Sequence, residues 1–574
     1  MEFNRNVQPP DIKLPDFVPK GSDIAFQLLN NELKKGRDGK IFVYFDPDID
    51  GLMSGLLVEQ YLEKMGVLSK NYGFYLNNNR AHGFKLSDEQ LKRLEGYTIV
   101  AVDFSVEKKD FDRILKAGIN LIVIDHHEID IKQYTKSNVD YVFSKCSSKG
   151  TYGVILNNQY LKENPRFRFL SGAGMVYYFL KYVSQHTIVP LYPDAAAMVG
   201  ISLLSDIREI ESPEARSFLR YTFALESDWL KFLQWIVSGE SNSSQRFSSF
   251  GVPCQNRDFI DFNFSPVINA LLRANKGYEA LDILRGVTNV VNDMRYGDKI
   301  LAYRDIQKKI IAAIMEEVKN AENTPGSLTR SLDNMKVCCL PSDFTPYENY
   351  NITNYIGVAC SKIKDEDKTG AIFVIDKDTN LVIRGSVRGG RDGVDYLEIF
   401  QRNGVPSAGH KNAFGILECD VTKIDFDKID KDIGLAEEEY FKTHKNTRSV
   451  LEVSSLSIFL KSPVAKAICK YNELSRDNYR IYIKVKGDFS DKDIDRVKHD
   501  KVSDKFIKYY IDGVPVSCFD PSLDITDSLI VIGTENNRYI KCTLRAGFEY
   551  DAEADRKVIS EKLSSLSEKN DREE

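Results

Sequence analysis

The sequence predicts an α/β fold in which a parallel-sheet domain is joined by a long connecting helix to a smaller α/β domain, followed by a β-rich region. Short apolar runs of β-forming residues, at 41–45, 99–103 and 121–125, alternate with helical stretches. This pattern is typical of a parallel sheet covered on both faces. Residues 297–322 then keep their apolar side chains at helical spacing and stop at the helix breakers Pro325 and Gly326, which predicts the connecting helix.

The individual elements follow in a regular order. Strand 41–45 (IFVYF) precedes a helix over 51–65, strand 99–103 precedes a charged helix over 107–117, and strand 121–125 precedes a helix over 172–184. In the smaller domain, the runs 337–340, 371–375 and 381–384 predict strands. Later runs at 479–485, 507–511 and 528–532 make the C-terminal region β-rich, and an OB-like barrel is one way to arrange them.

Domain boundaries are predicted where the pattern changes. The segments are an N-terminal arm at 1–20, a parallel-sheet domain with a helical extension at 21–295, a connecting helix at 296–325, the smaller α/β domain at 330–430, a β-rich domain at 431–550 and a charged tail at 551–574. In the tail, Ile559, Leu563 and Leu566 recur at helical spacing. This favours a surface helix that frays over a peptide that docks on a partner.

The composition is that of an ordinary globular protein with nearly balanced charge. The 574 residues include 78 basic and 84 acidic ones, for a net charge of −6, which neither favours nor excludes a nucleic-acid partner. Nine scattered cysteines form no Cys-x-x-Cys pair, so reduced thiols are expected rather than disulfides or a structural zinc. The sequence shows neither a signal peptide nor an apolar run of about 18 residues, so a cytoplasmic protein without membrane contact is expected.

Three aspartates follow the first predicted strand at alternate positions. Asp46, Asp48 and Asp50 lie in the segment DPDIDG, where mutual repulsion is unfavourable unless cations offset it. An acidic turn is an equally simple interpretation of a lone Asp-x-Asp pair. A calcium loop would need glutamate at its twelfth position, and counting from Asp46 that position is Leu57. The calcium loop is therefore excluded.

Other carboxylate and imidazole side chains fall at the ends of predicted strands. Asp103 ends the strand 99–103, and His126 follows the strand 121–125. Ligands of open α/β sheets bind at the carboxyl ends of the strands, so these residues are expected to meet the three aspartates there. Asp206 ends a helical stretch and could point back to the same edge. One imidazole among several carboxylates suits Mn²⁺ or Mg²⁺, and the sequence therefore predicts a two-metal phosphoesterase site.

The motif Asp125-His126-His127, with these aspartates in this order, resembles the DHH phosphoesterase superfamily, and the layout resembles its RecJ-like family of single-strand-specific 5′→3′ exonucleases. The resemblance covers about residues 20–430 and implies a DHH domain at 21–295 and a DHHA1 domain at 330–430. The implied ligands of two Mn²⁺ or Mg²⁺ ions are Asp48, Asp50, Asp103, His126 and Asp206, with Asp103 bridging the ions. His127 would lie beside the scissile phosphate, and the implied catalytic residues are Asp103, Asp125 and His127.

Three positions depart from the pattern of that family. Tyr44 stands where many members have a histidine, Val267 replaces an arginine and Ala408 replaces a glycine. Tyr44 implies a different ligand set for one metal, with Asp46 as the candidate ligand, and Val267 removes one expected phosphate contact. Because the implied ligands, including Asp103, are all present, an active enzyme is expected.

Several segments resemble the parts of that family that hold the nucleic acid. They are 265–273 (SPVINALLR), 385–388 (GSVR), 407–415 (SAGHKNAFG) and the residues around Arg80. The candidate contacts are Arg80, Asn269, Arg273, Ser386, Arg388 and His410. Arginine suits this role because its planar guanidinium can bind a phosphate through two hydrogen bonds.

The resemblance implies a metal-dependent exonuclease that hydrolyses single-stranded DNA from the 5′ end to mononucleotides, in recombination or repair. The expected partners are single-stranded DNA and a single-strand binding protein or helicase, and a monomer is expected. Two alternatives remain: a DHH phosphodiesterase acting on short oligoribonucleotides or cyclic dinucleotides, and a catalytically silent DNA-binding scaffold. The residues after 430 favour the exonuclease over smaller relatives, and the retained carboxylates argue against a scaffold.

Overall fold

A computed structural model describes residues 7–67, 72–76, 84, 86–127, 133–134, 141–160, 165–206, 210, 212–238, 257–286, 296–324, 328–364, 368–390, 393–443, 449–473, 480–486, 497–503, 506–519, 523, 528–535, 539–545, 550 and 552–567. The chain divides into two compact units. Unit 1 contains Met1–Ile268, Gly277–Gly297 and Thr447–Glu574, and unit 2 contains Asn269–Lys276 and Asp298–Asn446. The C-terminal region therefore groups with the first domain.

A six-stranded sheet forms the centre of the first part of unit 1. Its strands are β1 (Ile41–Phe45), β2 (Tyr72–Leu76), β3 (Thr98–Val102), β4 (Asn120–Asp125), β5 (Val142–Cys146) and β6 (Thr151–Asn157), in the order β2-β1-β3-β4-β6-β5. All neighbours are parallel except β5 and β6, which form an antiparallel hairpin. Strands β3 and β4 are almost entirely buried, as their apolar sequences require between two helical layers.

Helices cover both faces of this sheet. They are α1 (Ser22–Leu33), α2 (Ile49–Lys64), α3 (Asp88–Arg93), α4 (Lys108–Lys116), α5 (Gly172–Thr187), α6 (Asp194–Ser205), α7 (Pro213–Ala224) and α8 (Asp228–Ser238). On one face, Leu91 of α3 and Phe111 of α4 join the core formed with Ile99 and Val123. Phe45 points to the other face because neighbouring strand residues alternate, and its ring lies against Gly55 of α2.

A further helical region follows α8 in sequence. It consists of the short helix Arg257–Phe259, a π-helical turn at Ile260–Phe264, α9 (Ser265–Arg273) and α10 (Gly277–Arg285). Arg285 at the end of α10 donates a hydrogen bond of 2.7 Å from Nε to Oε2 of Glu59 on α2. This ion pair fixes α10 against the helix that begins with the acidic segment.

Unit 2 contains a second six-stranded sheet between helices. Its elements are α11 (Tyr296–Glu322), β7 (Arg330–Ser331), β8 (Met335–Pro341), α12 (Ile356–Ile363), β9 (Thr369–Ile375), β10 (Val382–Arg388), α13 (Tyr396–Arg402), β11 (Ser407–His410), β12 (Ala413–Ile416) and α14 (Phe426–Thr443), with the strand order β11-β12-β10-β9-β8-β7. Ile310, Ile314 and Val318 recur every four residues along α11 and are buried with α12 in one core cluster. A second cluster includes side chains of α13 and α14.

The C-terminal part of unit 1 contains a seven-stranded mixed sheet. Its elements are β13 (Ser449–Val453), α15 (Leu456–Phe459), α16 (Pro463–Glu473), β14 (Ile481–Val485), β15 (Val497–Ser503), β16 (Phe506–Ile511), β17 (Val514–Cys518), β18 (Leu529–Glu535), β19 (Tyr539–Arg545) and α17 (Ala552–Ser567), with the order β13-β14-β18-β19-β17-β16-β15. Among the described residues no pairing joins β13 to β15. An OB-like barrel is therefore not confirmed.

The predicted α/β fold class is confirmed, whereas the end of the chain is more firmly packed than its sequence indicates. Ile559 of α17 is only 4% exposed and belongs to the core of the C-terminal sheet. Asp555 accepts a hydrogen bond from the backbone nitrogen of Val450 at 2.8 Å. In the described part of the chain, no helix has the combined length and hydropathy of a membrane span.

The packing of α17 predicts that Ile559→Ala destabilises the C-terminal sheet by about 3 kcal/mol, because removing a buried aliphatic side chain leaves a cavity. The control is Val558→Ala on the same helix, since Val558 is 37% exposed, and we expect a loss below about 1 kcal/mol there. Denaturant-dependent hydrogen exchange of the amides in β13 and β14 measures both. Equal, small losses in the two variants would contradict the packing of α17.

Candidate metal centre

The candidate metal centre lies at the carboxyl ends of three adjacent parallel strands. Phe45 of β1 is in register with Val102 of β3, which is in register with Ile124 of β4. The residues that follow these strand ends are therefore brought to one edge of the sheet. They are Asp46, Asp48 and Asp50 after β1, Asp103 after β3 and His126 after β4; Asp206 directly follows α6.

His126 lies among three carboxylates that come from distant parts of the sequence. Its Nε2 atom is 3.0 Å from Oδ1 of Asp103, 3.5 Å from Oδ2 of Asp50 and 3.8 Å from Oδ2 of Asp206. The side chains of His126, Asp50 and Asp103 are at most 2% exposed. Potential ligand atoms lie within 4.8 Å of one another in two groups that share His126: Asp50, His126 and Asp206 in one, and Asp103, Asp125, His126 and His127 in the other.

Asp103 is the carboxylate whose surroundings are the most unfavourable for an uncompensated negative charge. Neither of its buried oxygens accepts a hydrogen bond from any described residue, which is costly for an ionised group in a protein interior. Burial raises its pKa well above the ordinary value, and the charges of Asp50, Asp48, Asp206 and Asp46 raise it further. Hard oxygen donors and one imidazole fit Mn²⁺ or Mg²⁺.

The backbone of Asp103 also departs from ordinary strand geometry. Its φ angle is +64°, in the left-handed region that aspartate and asparagine adopt more readily than most residues. Its nitrogen donates a hydrogen bond of 2.9 Å to the carbonyl oxygen of Ile124. A Cβ atom at Gly172 would lie 2.4 Å from Oδ1 of Asp103, so the beginning of α5 approaches this carboxylate as closely as only glycine allows.

Asp46 and Asp48 lie on the same edge but belong to neither group of converging ligand atoms. Oδ1 of Asp48 accepts a hydrogen bond of 2.9 Å from the nitrogen of Gly51 and so caps the N-terminus of α2. The charge of Asp46 raises the pKa values of both Asp103 and His127. The ligand roles expected for Asp46 and Asp48 remain predictions.

Asp125 and His127 form a hydrogen-bonded pair beside the converging carboxylates. Nδ1 of His127 is 2.7 Å from Oδ1 of Asp125, and Oδ2 of Asp125 accepts a hydrogen bond of 2.7 Å from Oγ of Ser105. Burial opposes the charged imidazolium, but the Asp125 carboxylate outweighs this effect and raises the pKa of His127 to about 9. Burial likewise opposes ionisation of Asp125, yet His127 and Ser105 lower its pKa. The geometry makes Asp125 the residue that orients His127.

Two residues that the sequence did not reveal hold the backbone of the two histidines. Nδ2 of Asn157 donates to the carbonyl oxygen of His127 at 2.9 Å, and Nε2 of Gln159 donates to that of His126, also at 2.9 Å. Asn157 is the last residue of β6, next to Asp125 in the sheet. The available signal was the polar run Asn157-Asn158-Gln159 at the end of an apolar strand.

The structure gives Tyr44 and Val267 apolar surroundings. The ring of Tyr44 is 1% exposed and packs 5.0 Å from the ring of Phe84 and 4.7 Å from that of Phe104. Val267 is fully buried. Both departures from the family pattern are thus compatible with core packing.

The candidate nucleic-acid contacts fall in unit 2, apart from Arg80, which lies outside the described residues. Nη1 of Arg388 donates to Oγ of Ser386 at 3.0 Å and to the carbonyl oxygen of Val387 at 2.8 Å. Nη1 of Arg273 donates to Oε1 of Gln307 at 2.9 Å. The last strand residue of β11 is His410, which is exposed, and Asn269 is half-buried on α9. Their phosphate-binding roles remain predictions.

The first five of these carboxylate and imidazole residues lie in a segment of the chain that matches a known family model. Residues 40–201 match the model described as DHH family, N-terminal domain. The matched segment contains Asp50, Asp103 and the Asp125-His126-His127 motif and ends before Asp206. The resemblance to the DHH superfamily stated from the sequence is thereby confirmed.

Part of the chain is also similar in sequence to a curated protein. The putative SPbeta prophage-derived single-strand DNA-specific exonuclease YorK of Bacillus subtilis (strain 168) is 25% identical over 269 residues, which are 47% of this chain and 40% of YorK. The chain thus spans about 40% of the length of the curated relative that it matches.

Two solved structures of RecJ share the fold. RecJ from Thermus thermophilus in complex with Mn²⁺ superimposes with a TM-score of 0.60 and 16% identity over 95% of this chain and 74% of that one. A crystal structure of exonuclease RecJ bound to manganese gives a TM-score of 0.51 and 16% identity over 74% of this chain and 96% of that one. At these identities the likeness establishes a RecJ-like fold.

The contact between Gly172 and Asp103 predicts that Gly172→Ala weakens Mn²⁺ binding about tenfold or more, because the added methyl group displaces a potential ligand. Gly174→Ala is the matched control on the same helical turn, since a Cβ there meets the flexible end of Leu170 at 2.9 Å. Titration calorimetry with Mn²⁺ measures both affinities. An unchanged affinity of Gly172→Ala would contradict this close contact.

The pairing of His127 with Asp125 predicts a specific pH dependence in metal-free protein. Because the pKa of His127 is raised from 6.5 to about 9, its stabilising effect is complete below pH 6.5 and is lost as the pH rises through about 9. Asp125→Asn removes the charge, so the pKa of His127 should fall by at least about one unit. NMR titration of the imidazole in chelator-treated protein measures this pKa, and a wild-type pKa near 6.5 would contradict the pairing.

Proposed function

We propose that this protein is a metal-dependent nuclease that hydrolyses single-stranded DNA from its 5′ end. The observation that carries the proposal is the convergence of three carboxylates, from Asp50, Asp103 and Asp206, within 3.8 Å of a single buried imidazole nitrogen of His126. The DHH family match and the RecJ-like fold support hydrolysis of a phosphoester. Single-stranded DNA as the substrate is supported by the similarity to YorK over part of both chains.

The residues proposed to hold two Mn²⁺ or Mg²⁺ ions are Asp50, Asp103, His126 and Asp206, with Asp46 and Asp48 on the same edge. The unsatisfied oxygens of Asp103 and its raised pKa are the features that fit a cation. When bound, such ions lower the pKa of a water molecule and stabilise charge on phosphate oxygens. Asp103 is the proposed ligand shared by the two ions. Its carboxylate lies close to His126, and the charges of Asp50 and Asp206 raise its pKa.

His127 is proposed to stabilise the phosphate through its outer ring nitrogen. Its Nδ1 atom is hydrogen-bonded to Asp125, and Nε2 is the second donor of the protonated ring. The side chain is 31% exposed, whereas that of Asp125 is fully buried. His127 is therefore accessible to a phosphate group of the substrate. The proposed role of Asp125 is to keep the imidazole ring oriented and charged.

Several residues of unit 2 are also proposed to contact phosphate groups of single-stranded DNA. Arg388 is held by Ser386, and Arg273 by Gln307. Burial lowers the pKa of Arg388, so binding an anion would offset the unfavourable burial of its charge. His410 and Asn269 are further proposed contacts.

The test compares wild type with Asp103→Asn, because asparagine tolerates the left-handed backbone of this position but lacks the charge. We expect Mn²⁺-dependent release of mononucleotides from 5′-labelled single strands, and a loss of at least about 100-fold in Asp103→Asn. Asp88→Asn is the control, since the side chain of Asp88 is 86% exposed, and it should keep full activity.

The same assay includes duplex DNA, short oligoribonucleotides and cyclic dinucleotides. Turnover restricted to the last two substrates would replace the exonuclease with a small-substrate phosphodiesterase. Binding of single strands without any turnover would instead identify a scaffold. Either result would overturn the proposed function.

A further inference from the structure

Asp50 is held by hydrogen-bond donors from two helices that lie far from it in sequence. The nitrogen of Gly172 donates to Oδ2 at 2.7 Å, and the nitrogen of Ala173 donates to Oδ1 at 2.7 Å. Oγ of Ser202, on α6, lies 2.5 Å from Oδ1. Asp50 therefore receives the first free N–H groups of α5 and one hydroxyl of α6, all of them buried.

The direction of these hydroxyl hydrogen bonds follows from counting protons. Oγ of Ser202 lies 2.5 Å from the Asp50 carboxylate and 2.6 Å from Oγ of Ser171. An ionised carboxylate can only accept, and a serine has a single hydroxyl proton. In the ionised form of Asp50, which is the form that binds a cation, Ser202 therefore donates to Asp50, and Ser171 donates to Ser202. The nitrogen of Gly174 in turn donates to Ser171 at 3.3 Å.

The result is a chain of donors that runs from the backbone of α5 through two serines to one oxygen of Asp50. Oδ1 receives two of the hydrogen bonds, from Ala173 and Ser202, whereas Oδ2 receives one, from Gly172. Oδ2 is also the oxygen that lies 3.5 Å from Nε2 of His126. Hydrogen bonds therefore occupy Oδ1 more fully than Oδ2. Oδ2 can still accept a further partner, and it is the oxygen on the side of the metal centre.

We propose that Ser202, supported by Ser171, is a positioning residue that fixes Asp50 so that it binds the metal through Oδ2. This inference rests on the metal centre of the proposed function and adds a role for two residues outside it. Outer hydrogen bonds of this kind fix the orientation of a ligand, and their loss typically weakens metal affinity about 10- to 100-fold. Ser202 is fully buried, so water does not readily replace its hydroxyl.

If Ser202 only stabilised the fold, the Ser202→Ala variant would behave differently. Asp50 also caps α5, and its contacts to Gly172 and Ala173 remain when Ser202 loses its hydroxyl. The helix should therefore persist in Ser202→Ala, while the carboxylate gains freedom to rotate. A purely structural role predicts that Ser202→Ala is less stable but, once folded, binds the metal with unchanged affinity. The positioning role predicts that the folded variant binds the metal more weakly while its stability is kept.

The experiment measures Mn²⁺ binding to the full chain by titration calorimetry and by electron paramagnetic resonance, with no nucleic acid present. Ser202→Ala should weaken binding at one ion site about 10- to 100-fold, and Ser202→Thr, which keeps the hydroxyl, should restore most of the affinity. Ser171→Ala should have a smaller effect in the same direction, because Ser202 can still donate. Circular dichroism of each variant establishes that it is folded.

Ser54→Ala is the matched control for these variants. Ser54 is as fully buried as Ser202 and lies one turn after Asp50 on α2, yet its hydroxyl has no hydrogen-bond partner among the described residues. Its affinity for Mn²⁺ should match that of the wild type. A folded Ser202→Ala protein with wild-type Mn²⁺ affinity overturns the positioning role alone.

A different result would overturn the metal centre itself. If Asp50→Asn binds Mn²⁺ as tightly as the wild type, or if the wild type binds none, both the proposed function and this inference fail. The two failures are distinguishable because Asp50→Asn removes the ligand charge, whereas Ser202→Ala leaves it in place.

Discussion

The repulsion among buried carboxylates at one edge of the parallel sheet is the constraint on which the rest of this structure depends. Asp50 and Asp103 are almost completely buried. Burial and the charge of Asp48 raise the pKa of Asp50, and burial and the charges of neighbouring aspartates, first among them Asp50, raise the pKa of Asp103. A single imidazole cannot neutralise this charge. Such an arrangement is stable at neutral pH only if cations or protons are bound there, and its donor atoms are those that hard divalent ions prefer.

The sheet and its helices bring these carboxylates together and hold them there. Parallel strands end at a common edge, so three consecutive neighbours in the sheet supply the aspartates and the histidine. Helix α5 then begins directly against them: its first amide groups bind Asp50, and Gly172 allows Asp103 to approach. The positive end of the helix dipole favours the negative charge at this point. The backbone groups that begin α5 are therefore the same groups that hold Asp50 in place.

The two histidines of the motif have different surroundings, and this difference separates their chemistry. His126 is buried among carboxylates, where its Nε2 atom takes part in the converging ligand set. His127 is partly exposed and paired with Asp125, which raises its pKa and keeps a proton on the ring. The roles proposed for these adjacent residues, ligand for His126 and cation for His127, follow from these different surroundings.

The sequence by itself determined β1, β3 and β4 of the first sheet and β8, β9 and β10 of the second. With the first three strands it also determined the edge at which Asp103 and His126 meet the acidic segment, because these features depend on local apolar patterns and on the common direction of parallel strands. Only the tertiary structure decided which oxygen faces which partner. Ser202 lies 152 residues from Asp50 in sequence, Asn157 reaches back to His127, Tyr44 packs in an aromatic cluster, and Ile559 anchors α17. These contacts join side chains from separate elements, and no local pattern records such pairings.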